Sequence, residues 1–130
     1  MKWKIGGVIA LVLVLAAAVT AVALRASITG SLRDISGQAR LARPDAADDV
    51  TALLAWVADD SLPVAERNRG VWALGQLRDP RALPLLLSLE VETCRHGQDI
   101  CQHELQKAVA LCKDGGPDLL RIKGCLDPAP

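Results

Sequence analysis

"WALGQLRDPRALPLLLSL", residues Trp72–Leu89, sets an Ala-Leu-Gly, an Arg-Asp-Pro turn and a leucine run side by side. Small residues at Gly70, Ala73 and Gly75 let helices approach closely, Asp79 suits a helix N-terminus, and Pro80 presets a first turn. The spacing predicts a helix from about Val64 to Arg78, with Gly70, Ala73, Leu74 and Leu77 on its inward face. Asp79-Pro80 ends it and starts another, in which Ala82, Leu83, Leu85, Leu86, Leu87 and Leu89 are apolar nearly all round. A helix of that kind is expected to be buried between neighbours. Upstream, Val50, Leu53, Leu54 and Val57 form an i, i+3, i+4, i+7 face that Asp59-Asp60-Ser61-Leu62-Pro63 brings to an end.

The pattern recurs. Sliding the chain by 37 residues superposes Ala73-Leu74 on Ala110-Leu111, Pro80 on Pro117 and Leu83 on Leu120, with a fainter copy beginning at Pro44. Periods of this size built from helix pairs indicate a solenoid. The stretch Ala73 to Leu89 resembles the HEAT-like repeat of phycobilisome-lyase-type proteins, strongly over Asn68 to Leu89 and more weakly over Val50 to Val64 and Leu105 to Ile122. Its marks are the Ala-Leu-Gly, the Asp-Pro between paired helices, and the Ala-Leu that follows. In the second copy Cys112 stands where Gly75 does and Gly116 replaces Asp79. The resemblance implies an all-α repeat domain. It also implies an enzymatic alternative, because the family includes bilin-lyase subunits, although the chain supplies no recognisable general acid, base or pocket.

Charge excludes one class of partner. With 15 Lys and Arg against 15 Asp and Glu, the chain has no net basic footprint, so nucleic acid is not an expected ligand. "IGGVIALVLVLAAAVTAVAL", residues 5–24, is uncharged and apolar, and as a helix it reaches about 30 Å, the thickness of a bilayer core. Lys2, Trp3 and Lys4 give it the flank of a membrane anchor. Ala21-Val22-Ala23 offers the competing reading of a cleaved signal, but signal-peptide apolar regions usually run only about 7 to 15 residues. Arg25, Arg33, Arg40 and Arg43 follow the run and pull towards a cytoplasmic C-terminal side. The short cationic leader and the cysteine content pull the other way, so the domain is expected on the periplasmic or other extracytoplasmic side.

Between anchor and domain, Ile28, Leu32, Ile35, Ala39 and Ala42 make a faint helical stripe weakened by Gly30 and Gly37. The segment reads as a flexible or partly helical stalk, with a dimerising or domain-packing helix as the alternative. The expected organisation is therefore an anchor over residues 1–25, a stalk over 26–43 and a repeat domain of about two and a half helix pairs over 44–130.

So short a solenoid needs staples. Cys94 and Cys101 bracket a short loop whose closure is worth roughly 2.5 kcal/mol, and Cys112 and Cys125 could meet across antiparallel helices. Cys94–Cys101 with Cys112–Cys125 is the expected pairing among three connectivities. Cys94, His96, Cys101 and His103 also form a C-x-H-x4-C-x-H run that could suit zinc, but the spacing is unfamiliar, and Cys101 and His103 would diverge on a helix. No metal or cofactor is expected, and a redox pair lacks the C-x-x-C spacing.

Helical geometry places Trp72 opposite the inward face, near Asn68, Arg69 and Gln76. Trp beside Arg is the composition of a protein-binding hot spot. The opposing reading packs Trp72 under the stalk or a neighbouring helix, in which case the binding surface would lie around His103 and Lys107. Trp56, at the edge of its own apolar face, is expected in the core. The combined expectation is a membrane-tethered, non-enzymatic interaction subunit that binds other proteins and could self-associate through the stalk. The alternatives are a lyase-like chromophore-handling subunit and a cleaved-signal periplasmic thiol or zinc protein.

Overall fold

Asp48 begins the domain's first helix by accepting hydrogen bonds from the Thr51 N–H at 2.8 Å and the Thr51 hydroxyl at 2.7 Å. The structure, a computed structural model, describes residues 2–91, 95 and 97–114. Among these the chain is all-helical: α1 (Lys2–Ala42), α2 (Asp49–Ala58), α3 (Val64–Leu77), a 3-10 turn (Pro80–Ala82), α4 (Leu83–Ser88) and α5 (Gln102–Asp114). The chain divides between Asp34 and Ile35 into two units.

In the first unit, helix α1 is long and apolar enough to cross a membrane. Its large aliphatic side chains from Val8 to Leu24 are all more than half exposed, at 54–68 %. Thr20, the one hydroxyl in this apolar stretch, donates to the Ala16 carbonyl at 2.8 Å, so its polar group is satisfied within the helix, as a lipid environment requires. Helix α1 continues through Gly30 and Gly37 to Ala42, so the segment expected as a stalk is helical over all but its last residue, Arg43.

The second unit begins with the end of α1, where Ile35 and Ala39 are buried. The expected α2 face holds: Val50, Leu53 and Val57 are buried and Leu54 is half-buried. Arg67 closes the far end of α2. Its Nε donates to the Val57 carbonyl at 2.8 Å and its Nη1 pairs with Asp60 at 2.6 Å, putting a cation at the negative end of the helix dipole. Arg43 adds an ion pair to Asp59 at 3.1 Å.

Helix α3 lies at the centre, packed on α2 and on α5. Two glycines set those approaches. A Cβ at Gly70 would meet Val57 Cγ2 at 2.6 Å, and one at Gly75 would meet Ala108 Cα at 2.9 Å. Helix α3 is therefore closely approached on two sides, by α2 at Gly70 and by α5 at Gly75, whereas the sequence suggested a single inward face. Leu53, Leu74, Leu86 and Leu105, with Val57 and Val71, form the fully buried core.

Arg78 ends α3 in the left-handed region, at φ 54°, with its N–H shared between the Leu74 and Gly75 carbonyls at 3.2 Å. Asp79 then accepts from the Arg81 N–H at 2.9 Å and starts the 3-10 turn at Pro80, as the Asp-Pro motif predicts. Arg81 joins two helix starts, reaching Asp79 through Nη2 and Asp48 through Nη1, each at 2.8 Å.

The leucine-rich segment departs from expectation. Helix α4 is only six residues long, and while Ala82 and Leu86 are buried, Leu87 is 50 % exposed. The helix packs on α5, which covers one of its sides and leaves Leu87 and Val91 in the open.

Candidate functional site

The floor of the site is made by the close approach of α3 and α5 at Gly75 and Ala108. Because neither residue carries a bulky side chain, a groove of about 200 Å³ opens between the helices, lined by Trp72, Gly75 and Gln76 on one side and Glu104, Lys107, Ala108 and Leu111 on the other. Trp72 is half-buried here, lining the groove on the side of α3 that faces α5. Lys107 Nζ pairs with Glu104 at 3.0 Å on the rim. The groove thus has an apolar ring and a leucine for contact area, with an amide and an ion pair at the edges for orientation. That composition suits the capture of a peptide or a partner side chain.

The four residues expected on one binding face take different positions. Trp72 and Gln76 share the groove. Asn68, one turn earlier, accepts a hydrogen bond from the Cys101 N–H at 2.8 Å and so holds the start of α5. Arg69 Nη1 pairs with Glu66 at 2.9 Å. The geometry assumed that nothing packs on the Trp72 side of α3; instead α5 runs along the Asn68–Trp72–Gln76 stripe. For the same reason Lys107, read from the sequence as part of a separate patch, lies across the same groove as Trp72, while His103 is exposed. Trp56 is half-buried, not core, and its Nε1–H donates to the Glu66 carbonyl at 3.2 Å.

Of the cysteines, Cys101 is half-buried at the start of α5 and Cys112 is buried near its end; among the described residues neither is joined in a disulfide. Cys94 and Cys125, their expected partners, lie outside the described residues, as does His96 of the candidate zinc run. Cys112 Sγ donates to the Leu74 carbonyl at 3.5 Å. Burial, and secondarily the charge of Asp79, pushes its thiol pKa up. Among the described residues no group of three or more His, Cys, Asp or Glu side chains could hold a metal ion.

The remaining shifted groups are structural. Asp48 is lowered from 3.8 to about 2, first by the Thr51 N–H, then by the Thr51 hydroxyl and Arg81. Asp79 is held below its ordinary range by Arg81, whose own pKa is raised by the two carboxylates. Gln102, a residue that no periodicity singles out, stitches the α4–α5 connection: its Nε2 donates to the Leu89 and Ile100 carbonyls at 3.2 and 3.1 Å, and its Oε1 accepts from the Val91 N–H at 3.1 Å.

No curated protein and no solved structure matches the chain. Residues 66–90 match the family model described as the PBS lyase HEAT-like repeat, a stretch that takes in α3 from Glu66, the Asp-Pro turn and α4 and that is similar to one such repeat.

Proposed function

We propose that this chain is a single-pass membrane protein whose helical-repeat domain works as a non-enzymatic interaction subunit of a membrane or envelope assembly, seating a partner protein in the α3–α5 groove. The observation that carries this reading is the join, in one short chain, of a helix long and apolar enough to span a bilayer to a HEAT-like repeat with a half-buried Trp at an open groove. HEAT-like repeats generally serve protein interaction, using the surfaces that stacked helices present. In this reading residues 1–25 are the anchor, 26–43 the connecting segment and 44–130 the interaction domain. The domain faces the extracytoplasmic side, where oxidation would join Cys94 to Cys101 and Cys112 to Cys125, the second disulfide replacing the bond from the Cys112 thiol to the Leu74 carbonyl; neither metal, cofactor nor nucleic acid takes part. Trp72, Gln76 and Lys107 are the contact residues, with Arg69 at the margin.

The test is Trp72→Ala in the membrane-inserted protein. Burying the rest of a half-exposed indole in a partner contributes on the order of 1 to 2 kcal/mol, so partner binding should fall roughly ten-fold or more while the domain melts within a few degrees of the parent. A large loss of melting temperature with binding per folded molecule unchanged would make Trp72 a packing residue and remove the groove as the docking site. Bilin retained by the purified protein would favour the lyase-like alternative.

A further inference from the structure

The α3–α5 groove has an apolar floor, but the two charges on its rim are placed unequally. The Glu104 side chain is 34 % exposed and that of Lys107 55 %, so the carboxylate lies deeper and the ammonium stands further out in water. We propose, resting on the reading of this groove as the docking site, that its occupant is a cationic side chain of the partner protein, an arginine above all, seated between Trp72 and Glu104.

Three features of the lining select a cation. The first is a carboxylate oxygen with capacity to spare. Lys107 Nζ donates to Glu104 Oε1 at 3.0 Å, and among the described residues no other side-chain donor is bonded to that carboxylate, so Lys107 keeps Oε1 and an incoming cation takes Oε2. The second is the ring. The π cloud of an indole attracts a guanidinium or ammonium held over it within about 6 Å, and Trp does this better than Tyr or Phe. The third is the amide: Gln76 lines the same groove, and its side-chain oxygen can accept from a second N–H. Arginine suits all three, because its planar fork donates to two acceptors at once while its face stacks on an aromatic surface. The close floor at Gly75 and Ala108 gives room for one long side chain, with Leu111 beside its methylenes.

Other occupants fit less well. An acidic side chain would meet both Glu104 and the electron cloud of Trp72, and its attraction would come only from the more hydrated member of the rim pair. A purely apolar side chain would strip water from the carboxylate without replacing it.

The experiment titrates the full-length, detergent-solubilised protein, isotope-labelled at tryptophan, with three peptides: acetyl-Ala-Arg-Ala-amide, the same peptide with citrulline as a neutral isostere of arginine, and the same with glutamate. The readout is the Trp72 indole N–H signal in NMR, with that of Trp56 as an internal control. The arginine peptide should shift the Trp72 signal saturably and bind roughly ten-fold more tightly than the citrulline peptide, and Glu104→Gln should abolish that preference while the protein keeps its spectrum. Equal binding of arginine and citrulline overturns the proposal, as do tighter binding of the glutamate peptide, a preference that survives Glu104→Gln, or no shift at Trp72 with the arginine peptide. The groove itself is judged separately, by whether Trp72→Ala weakens partner binding, so loss of the cationic occupant and loss of the docking site give different results.

Discussion

Glycines at two places in this chain do opposite things, and the difference is measurable. At Gly75 a methyl group would sit 2.9 Å from the Ala108 Cα and 3.0 Å from its Cβ, and a backbone neighbour cannot swing aside. Gly75→Ala gains up to about 1 kcal/mol of helix propensity but incurs an overpacking cost of about 1–3 kcal/mol. The net should lower the melting temperature by several degrees and loosen the α3–α5 contact that floors the groove. At Gly37 nothing lies within 4 Å, so Gly37→Ala should instead stabilise helix α1 by about 0.5–1 kcal/mol. Paired thermal melts read both signs, and a Gly75→Ala protein that melts as high as Gly37→Ala would disprove the close contact. Ser36 is the complementary case. It is 5 % exposed and its Oγ has no hydrogen-bond partner, so folding removes a hydroxyl from water without replacement. Ser36→Ala deletes that cost and should raise stability by about 1 kcal/mol, read as a higher midpoint in denaturant.

Helix ends, more than helix middles, hold the elements in place. Asp48 caps α2, Asp79 caps the turn into α4, and Arg81 ties the two caps together. The depressed Asp48 pKa gives this joint a pH signature. A carboxylate bound more tightly in its ionised form contributes stability above its ordinary value of 3.8, and that contribution is lost as pH falls towards about 2. Asp48→Asn keeps a good N-cap but cannot titrate, so its melting temperature should fall less steeply than the parent's between these two pH values. Equal slopes would show that Asp48 carries no part of the acid response. The caps also mark how far the sequence could be read. Asp79-Pro80 announced its turn because its chemistry is local, and the α2 face announced itself by spacing. Arg81 reaching Asp48 and Asn68 reaching Cys101 join residues 33 apart, and no local pattern encodes such pairings. The groove was missed for a related reason: Gly75 signalled a close approach, but not that α5 would be the helix to make it. The leucine run misled because apolar composition states that a face must be covered and leaves open by what.

At the scale of the whole molecule, the two units differ in what they expose. The second unit exposes few of its described large aliphatic side chains, Leu41, Leu87 and Val91 among them, whereas α1 leaves ten from Val8 to Leu24 more than half exposed. Transferring these to hydrocarbon at roughly 1 kcal/mol or more each gives on the order of 10 kcal/mol, far beyond what a peripheral attachment requires. An uncleaved anchor should therefore resist alkaline carbonate extraction, and intact-mass analysis should find the mature N-terminus at Met1 or Lys2. The energetic cause can be tested separately from the location. Val14, near the middle of the apolar run, is 65 % exposed, and an Arg there costs about 2.5–3.5 kcal/mol on the insertion scale. Val14→Arg should thus shift a visible fraction of the protein into the carbonate-soluble pool, while Leu41→Arg, at a site 84 % exposed beyond the apolar run, should not. If the parent protein itself is carbonate-soluble and begins near Leu24, the helix is a signal sequence that is cut away, and the repeat domain acts as a released protein with its groove unchanged.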